Sequence, residues 1–289
     1  MKNFLAYCFY IILSTFILML SLDWIYTKIY REGSARNKVQ NQLKLKNKHF
    51  AVGFYGSSRI ERHIDCKLIE KVTGKTCLNN GFSGANMADI LMLAEINKIN
   101  GVTFDTIFVQ LDYSYNFEGF SPYFIANLAP YLNDSYADKA YSEMEDYYFY
   151  KNIPFYKYLR NEKVLGLREL IGIIFQTTDG RNIEIGFNPL SGSGLNVKGK
   201  FPKKLIAENS KVIALEKLFK DKKLYFFTAP YCKATNNRES INLLNGKVKN
   251  YQNYAKLFDD KPEYFFDCGH LNEKGAKAFT KKIVEDYNF

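Results

Sequence analysis

The chain has 289 residues, 47% hydrophobic and 24% charged, which fits one large globular α/β domain or one domain with a substantial insertion. Its formal net charge is +10 at pH 7. A basic chain can bind nucleic acid, but the lysines are spread along the sequence without a nucleic-acid-binding motif, so we predict no nucleic-acid partner.

The first predicted element is an apolar N-terminal helix. Phe4 to Leu22 contains no charged residue, and its 19 residues approach the roughly 20 that a helix needs to cross a bilayer. No small-residue cleavage site follows, so we predict an uncleaved transmembrane signal anchor over residues 1–22, with a cleaved signal peptide as the alternative. Residues 23–48 are polar and basic with apolar residues at helical intervals, and they are predicted to form a helical linker.

Residues 49–289 are predicted to form the main domain, in which strands alternate with helices. Strands are predicted from His49, Lys75, Phe104 and Lys223 and at 263–267, and helices at 66–74, 87–99, 202–220, 238–258 and from Asn272. This alternation indicates a three-layer, flavodoxin-like α/β fold with a central parallel sheet covered on both faces.

A Tyr- and Phe-rich stretch, residues 119–200, interrupts the pattern, with one predicted helix near 163–175. We interpret it as an insertion over the site and not as a separate domain. Its rings could line a carbohydrate groove or could form a satellite hydrophobic cluster.

Polar residues follow several of the predicted strands. They are Ser57 and Ser58, Ser83 and Gly84, Asp112, and Asp267 with His270. Ligands of open parallel sheets bind at the carboxyl ends of the strands, so we expect these residues to share one edge of the sheet.

Serine catalysis requires a histidine base and a carboxylate that orients it. Asp267 and His270 are spaced as D-x-x-H, which one turn can bring together, although such a pair alone equally fits a capping Asp beside a surface His. His63 lies close to Ser58 in sequence and is interpreted as a bystander.

The segments "YGSSR", "NNGFSGAN" and "DCGHLNEKGA", in this order, resemble the three corresponding blocks of the SGNH (GDSL-type) hydrolase superfamily. The resemblance implies Ser58 as nucleophile, His270 as base and Asp267 as its orienting acid, with the backbone N–H groups of Ser58 and Gly84 in the oxyanion hole. Ser57 stands where the family has Asp and is expected to shape the turn.

One block departs from that pattern. The family has Gly-x-Asn-Asp after the third strand, and its Asn donates to the oxyanion; this chain has "VQLDYSYN". Loss of one such donor typically costs about 10²–10³ in rate. Asn86 or Asn80 could substitute, and otherwise the domain is a catalytically degenerate scaffold that binds a glycan or a membrane partner.

Together, the anchor and the Gly-Ser-Ser sequence resemble membrane-tethered SGNH-like proteins that act beside membrane-bound O-acyltransferases in alginate acetylation and teichoic-acid D-alanylation. The resemblance implies an extracytoplasmic esterase or O-acyltransferase acting on an acylated cell-surface polysaccharide, with a multi-span acyltransferase as partner and no cofactor. A lipid esterase is a third alternative. Arg59 and Asp112 are candidate substrate contacts, although Arg59 equally fits a core ion pair and Asp112 could instead hydrogen-bond the turn after the first strand.

The cysteines bear on the compartment. Cys66 and Cys77 flank the predicted short helix and second strand, while Cys232 and Cys268 follow adjacent strands, so we predict the disulfides Cys66–Cys77 and Cys232–Cys268. Disulfides favour an oxidising, extracytoplasmic location of the domain, with buried thiols in a cytosolic domain as the alternative. No cysteine pair has zinc-ligand spacing, so we predict no metal site.

Overall fold

A five-stranded, all-parallel sheet forms the centre of the fold. The computed structural model describes residues 1–177, 186–192 and 199–288. The strands are β1 (His49–Tyr55), β2 (Cys77–Asn79), β3 (Thr103–Gln110), β4 (Lys223–Thr228) and β5 (Tyr251–Asn253). Their order across the sheet is β2-β1-β3-β4-β5, the order of doubly wound, flavodoxin-like sheets. The predicted α/β class is therefore confirmed.

Helices account for much of the rest of the described chain. They are α1 (Lys2–Glu32), α2 (Lys38–Lys44), α3 (Ser58–His63), α4 (Cys66–Thr73), α5 (Met87–Ile99), α6 (Pro122–Leu128), α7 (Ser135–Ser142), α8 (Tyr147–Asn152), α9 (Tyr156–Arg160), α10 (Glu162–Leu165), α11 (Leu167–Ile174), α12 (Ser210–Leu218) and α13 (Glu273–Tyr287).

Helices cover both faces of the sheet. Phe108 of β3 lies 4.7 Å, centroid to centroid, from Tyr287 of α13, which itself packs on α3 and α4. Tyr55 of β1 accepts a hydrogen bond from Asn97 of α5 and lies 6.1 Å from Phe219 at the end of α12. Because Phe54 stacks on Phe108 and successive side chains of a strand alternate, Tyr55 points to the opposite face.

The chain divides into two compact units. One unit comprises residues 1–40 and 122–179, and the other comprises residues 41–121 and 180–289 and contains the sheet. The apolar stretch ends at residue 22, but helix α1 continues without a break to Glu32. A change from apolar to polar residues does not by itself end a helix. The boundaries predicted for the anchor, the linker and the insertion stay predictions.

Two predicted elements are wrong. The helix expected over 238–258 is a 3₁₀ segment, Arg238–Leu244, followed by β5, because Gly246 and Asn250 take left-handed backbone conformations that a helix cannot continue through. Residues 263–267 form no strand, and only Phe265 makes an isolated bridge. In addition, α12 begins at Ser210 and not near 202, since the Asn209 side chain caps its first turn.

Candidate active site

The turn after β1 positions Ser58 at the first residue of α3. Ser57 is the N-cap residue, and its side chain accepts the Arg59 N–H at 3.4 Å. Gly56 has no room for a side chain, since a Cβ there would lie 2.4 Å from Ile60 and 2.7 Å from the side-chain oxygen of Gln110. Ser57 therefore shapes the turn that presents Ser58.

Ser58, His270 and Asp267 form one chain of hydrogen bonds. The Ser58 Oγ lies 2.9 Å from His270 Nε2, and His270 Nδ1 lies 3.0 Å from both carboxylate oxygens of Asp267. A carboxylate accepts only, so Nδ1 carries the proton and Nε2 is the acceptor that faces the serine hydroxyl. This is the tautomer that a general base requires.

The loop holds Asp267 in place through its own backbone. Asp267 Oδ1 accepts the N–H groups of Gly269 at 2.7 Å and His270 at 2.8 Å. After the loop, Asn272 caps α13 by accepting the Gly275 N–H at 3.0 Å. Asp267 and His270 therefore lie in one tight turn, and the backbone N–H groups of that turn orient the carboxylate toward the imidazole.

Burial keeps His270 neutral. The pKa of His270 is lowered from its usual value, mainly because burial disfavours the charged ring, while the neighbouring Asp267 carboxylate acts in the opposite direction. A neutral imidazole at pH 7 can accept the proton of Ser58.

Arg59 ties the helix that carries the nucleophile to the loop that carries the base. Its Nε donates to the Gly269 carbonyl at 3.0 Å and its Nη2 donates to the Ala229 carbonyl at 2.8 Å. The guanidinium also stacks 3.5 Å from the Tyr231 ring centroid and lies 3.7 Å from Asp112.

Arg59 and Asp112, the candidate substrate contacts, are both buried. Arg59 is 2% exposed and Asp112 is 0% exposed, and their role as substrate contacts stays a prediction. Their proximity fits the alternative of a core ion pair.

Gln110 occupies the end of β3, in the segment that departs from the family's oxyanion block. Its side-chain oxygen accepts both the N–H and the hydroxyl of Ser57 at 3.1 Å, and its amide N–H donates to Asp112. The amide is 1% exposed. Gln110 therefore braces the turn between Ser57 and Asp112.

The loop after β2 carries the remaining oxyanion candidates. Gly84 is exposed and has a φ of +79°, a conformation that favours glycine. Asn86 caps α5 in a reciprocal capping box with Asp89, and its side-chain amide donates to the Gly119 carbonyl at 3.1 Å. Asn80 is 1% exposed, and among the described residues neither its amide nitrogen nor its oxygen has a hydrogen-bond partner. The oxyanion roles of Gly84 and Asn86 stay predictions.

His63 makes a structural contact that its sequence position does not indicate. Its Nε2 accepts the backbone N–H of Leu271, the residue after His270, at 2.9 Å, and its ring centroid lies 6.1 Å from that of His270. The ring is fully buried, which lowers its pKa well below the usual value, and Arg59 adds to that shift. No local motif signals this contact, because His63 and Leu271 are 208 residues apart.

Both predicted disulfides are confirmed. Cys66 is bonded to Cys77, and Cys232 is bonded to Cys268, which lies between Asp267 and His270 in sequence. Cys232 N–H also donates to the Cys268 carbonyl at 3.2 Å. The second disulfide therefore restrains the loop that carries the acid and the base. In the described residues, no group of three His, Cys, Asp or Glu side chains is arranged to hold a metal ion.

Neither protein-family models nor curated proteins give a significant match to this sequence. Among solved structures, the chain is similar to a Streptococcus pneumoniae protein provisionally described as a platelet activating factor, at 11% identity over 98% of this chain and 99% of that one, with a TM-score of 0.39. It is also similar to a gut microbial diltiazem-metabolizing enzyme, at 11% identity over 84% of this chain and 47% of that one, with a TM-score of 0.32. Similarities this weak identify neither a family nor an activity.

Proposed function

We propose that the protein is a membrane-anchored, extracytoplasmic serine esterase or O-acyltransferase of the SGNH type that acts on an acylated cell-surface polysaccharide. The observation that carries this proposal is the Ser58–His270–Asp267 chain of hydrogen bonds at 2.9 and 3.0 Å. Its order matches nucleophile, base and orienting acid.

In the proposed reaction, the Ser58 oxygen attacks the acyl carbonyl carbon while His270 Nε2 takes the hydroxyl proton. The tetrahedral oxyanion would be stabilised by the backbone N–H groups of Ser58 and Gly84. Collapse expels the alcohol oxygen of the donor, which receives the proton from His270, and leaves an acyl-enzyme on Ser58. Water or a sugar hydroxyl then gives its proton to His270 and attacks the acyl carbon, and the Ser58 oxygen departs with the proton that His270 returns to it.

Two features support the proposed location. Helix α1 is long and apolar enough to cross a membrane, and its length and composition suit either an anchor or a signal sequence. Both cysteine pairs of the main domain are oxidised, which fits an extracytoplasmic compartment. A multi-span membrane acyltransferase is the proposed source of the acyl group when the reaction is transfer.

A fluorophosphonate probe tests the nucleophile directly. We expect stoichiometric labelling of the wild-type protein at Ser58, no labelling of Ser58→Ala, and unchanged labelling of Ser142→Ala, which replaces an exposed serine of the other unit. Release of acetate from an O-acetylated polysaccharide, compared between the same variants, then tests the substrate class. Labelling at another serine, or acyl release that persists in Ser58→Ala, would contradict the proposal.

One observation favours the second candidate, a scaffold that binds a glycan or a membrane acyltransferase without catalysis. The Gln110 side chain at the end of β3 is 1% exposed and donates to Asp112, which fits a site without the family's side-chain oxyanion donor. A scaffold predicts no probe labelling at any pH while polysaccharide binding is retained in Ser58→Ala.

A further inference from the structure

The final ten residues of α1 are an integral part of the unit formed by residues 1–40 and 122–179. Tyr26 is 9% and Tyr30 is 1% exposed, and the Tyr26 ring lies 4.9 Å from Phe155 and 5.1 Å from Tyr158. By contrast, no residue of the apolar window that precedes them is buried. Helix α1 therefore has a longer apolar part whose residues are not buried in this unit and a shorter C-terminal part that packs against the rest of the unit.

Asp23 joins α1 to the segment between α8 and α9. Its Oδ1 pairs with Lys157 Nζ at 3.0 Å, and its Oδ2 accepts the backbone N–H of Phe155 at 2.7 Å. Phe155 has a φ of +66°, a left-handed conformation that is uncommon outside glycine, so the carboxylate holds a specific turn. Asp23 is the residue that directly follows the apolar stretch.

These contacts place the α8–α9 segment at the level where the apolar stretch ends. A cleft of about 430 Å³ is lined by Leu20 and Trp24 of α1 and by Ile153 and Pro154 of the segment. A helix rises about 1.5 Å per residue, so Leu20 and Trp24 lie within roughly 3 Å of Leu22 along the helix axis. If α1 crosses a bilayer, this cleft lies in the headgroup region.

Four exposed side chains of α1, of α8 and of the residue after α8 have the composition of a membrane interface. Trp24 is 64%, Tyr148 is 67%, Phe149 is 49% and Ile153 is 39% exposed; we call these four residues the interfacial patch. Lys28 places its ammonium 5.3 Å from the Trp24 ring centroid. Tryptophan and tyrosine are enriched at both membrane–water interfaces, and flanking lysines can reach the headgroups.

We propose that the interfacial patch is inserted into the headgroup region of the bilayer that α1 crosses, so that this unit is docked on the membrane and is not merely tethered to it. The occupant is a bilayer because Trp24 lies two residues beyond the apolar stretch of α1 and Ile153 lines the same cleft as Leu20 and Trp24. The proposal rests on α1 being a retained anchor, which is part of the proposed function.

Spin-label accessibility in nanodiscs tests the proposal with the full-length chain. The background is Cys8→Ser, which removes the free cysteine and leaves both disulfides intact. Phe149→Cys, or Tyr148→Cys as a second site, is labelled, and collision with lipid-soluble oxygen is compared with collision with a water-soluble nickel chelate. The nanodiscs contain phosphatidylethanolamine and phosphatidylglycerol.

Phe175→Cys is the matched control, since Phe175 is 73% exposed in the same unit. It follows α11, whose Ile173 carbonyl accepts a hydrogen bond from Ser34, beyond the end of α1 and roughly 15 Å of helix rise past Leu22. The native Cys8, labelled in the wild-type background, reports on the anchor itself.

We expect a label at 149 or 148 to favour oxygen over nickel by at least about threefold relative to the label at 175. If these labels are as accessible to nickel as the label at 175 while Cys8 is in lipid, docking is refuted and the anchor stands. If Cys8 itself is accessible to nickel, the anchor fails and docking fails with it.

Discussion

The substitution Asp267→Asn tests whether Asp267 orients His270, because it leaves the His270 side chain itself in place. In the structure, Asp267 Oδ1 accepts the Gly269 and His270 backbone N–H groups, so the amide oxygen of an asparagine would keep that position. Its NH₂ would then face His270 Nδ1 from the position of Oδ2, now 3.0 Å away. Oδ1 also lies 3.0 Å from Nδ1, but it already accepts the two backbone N–H groups. Because an NH₂ can only donate, the substitution favours the tautomer in which Nδ1 is unprotonated and Nε2 carries the proton.

A protonated Nε2 cannot accept the proton of Ser58, although every residue of the loop stays in place. Catalysis should therefore fall by about 10⁴-fold in kcat, the order expected when a triad histidine is held in the wrong tautomer. That loss corresponds to about 5.4 kcal/mol of transition-state stabilisation, at 1.36 kcal/mol for each factor of ten. The free energy of unfolding should change little, since the backbone hydrogen bonds remain.

The assay is the rate of fluorophosphonate labelling, or of acyl-ester hydrolysis, alongside urea unfolding of the same samples. Glu263→Gln is the matched control because it removes one negative charge from an exposed residue of the neighbouring 3₁₀ segment. A decrease smaller than tenfold in Asp267→Asn, with the fold intact, would refute the assignment of Asp267 as the residue that orients the base.

The other predictions concern pH, a buried histidine and a disulfide. Because only neutral His270 accepts a proton and its pKa is lowered, we expect kcat/KM to fall at acid pH with an inflection below 6.5; an inflection above 6.5 would contradict this. His63→Ala leaves the Leu271 N–H without its acceptor and should destabilise the fold by about 1–3 kcal/mol or more in urea unfolding, with partial recovery in His63→Gln. The pKa of His63 is lower in the folded than in the unfolded chain, so its contribution to stability is complete above about pH 6.5. As the pH falls, this contribution is lost by at most about 1.4 kcal/mol per pH unit. His63→Gln should remove that pH dependence of the unfolding free energy. Replacing Cys232 and Cys268 by serine opens a 36-residue loop and should cost about 4 kcal/mol of unfolding free energy; no change in the urea midpoint would show that the disulfide does not restrain the fold.

Local patterns predicted most of the elements around the site. The strand from His49, the helix from Met87 and the helix after Asn272 lie where the periodicity placed them, because their apolar spacing and their caps are properties of neighbouring residues. The prediction of a helix over 238–258 is wrong because residues 251–253 pair with the edge of β4. The apolar spacing of this segment carries no information about that distant partner.

The sequence by itself determined which residues stand at the ends of the strands: a serine after β1, a glycine loop after β2, and an acid and a histidine three residues apart before the last helix. It also determined the apolar N-terminal helix and the even number of cysteines in the main domain. These features depend on residue type and on short spacing, and both can be read along a chain.

Only the tertiary structure decided what Arg59 and His63 do. Both follow the candidate nucleophile closely in sequence, yet their partners are Gly269 and Leu271, more than 200 residues away. Burial converts a charge that could have faced a substrate into a brace between the helix of Ser58 and the loop of His270. The reason is physical: the cost of removing a charged or polar side chain from water is set by the groups that surround it after folding, and these groups come from distant parts of the chain.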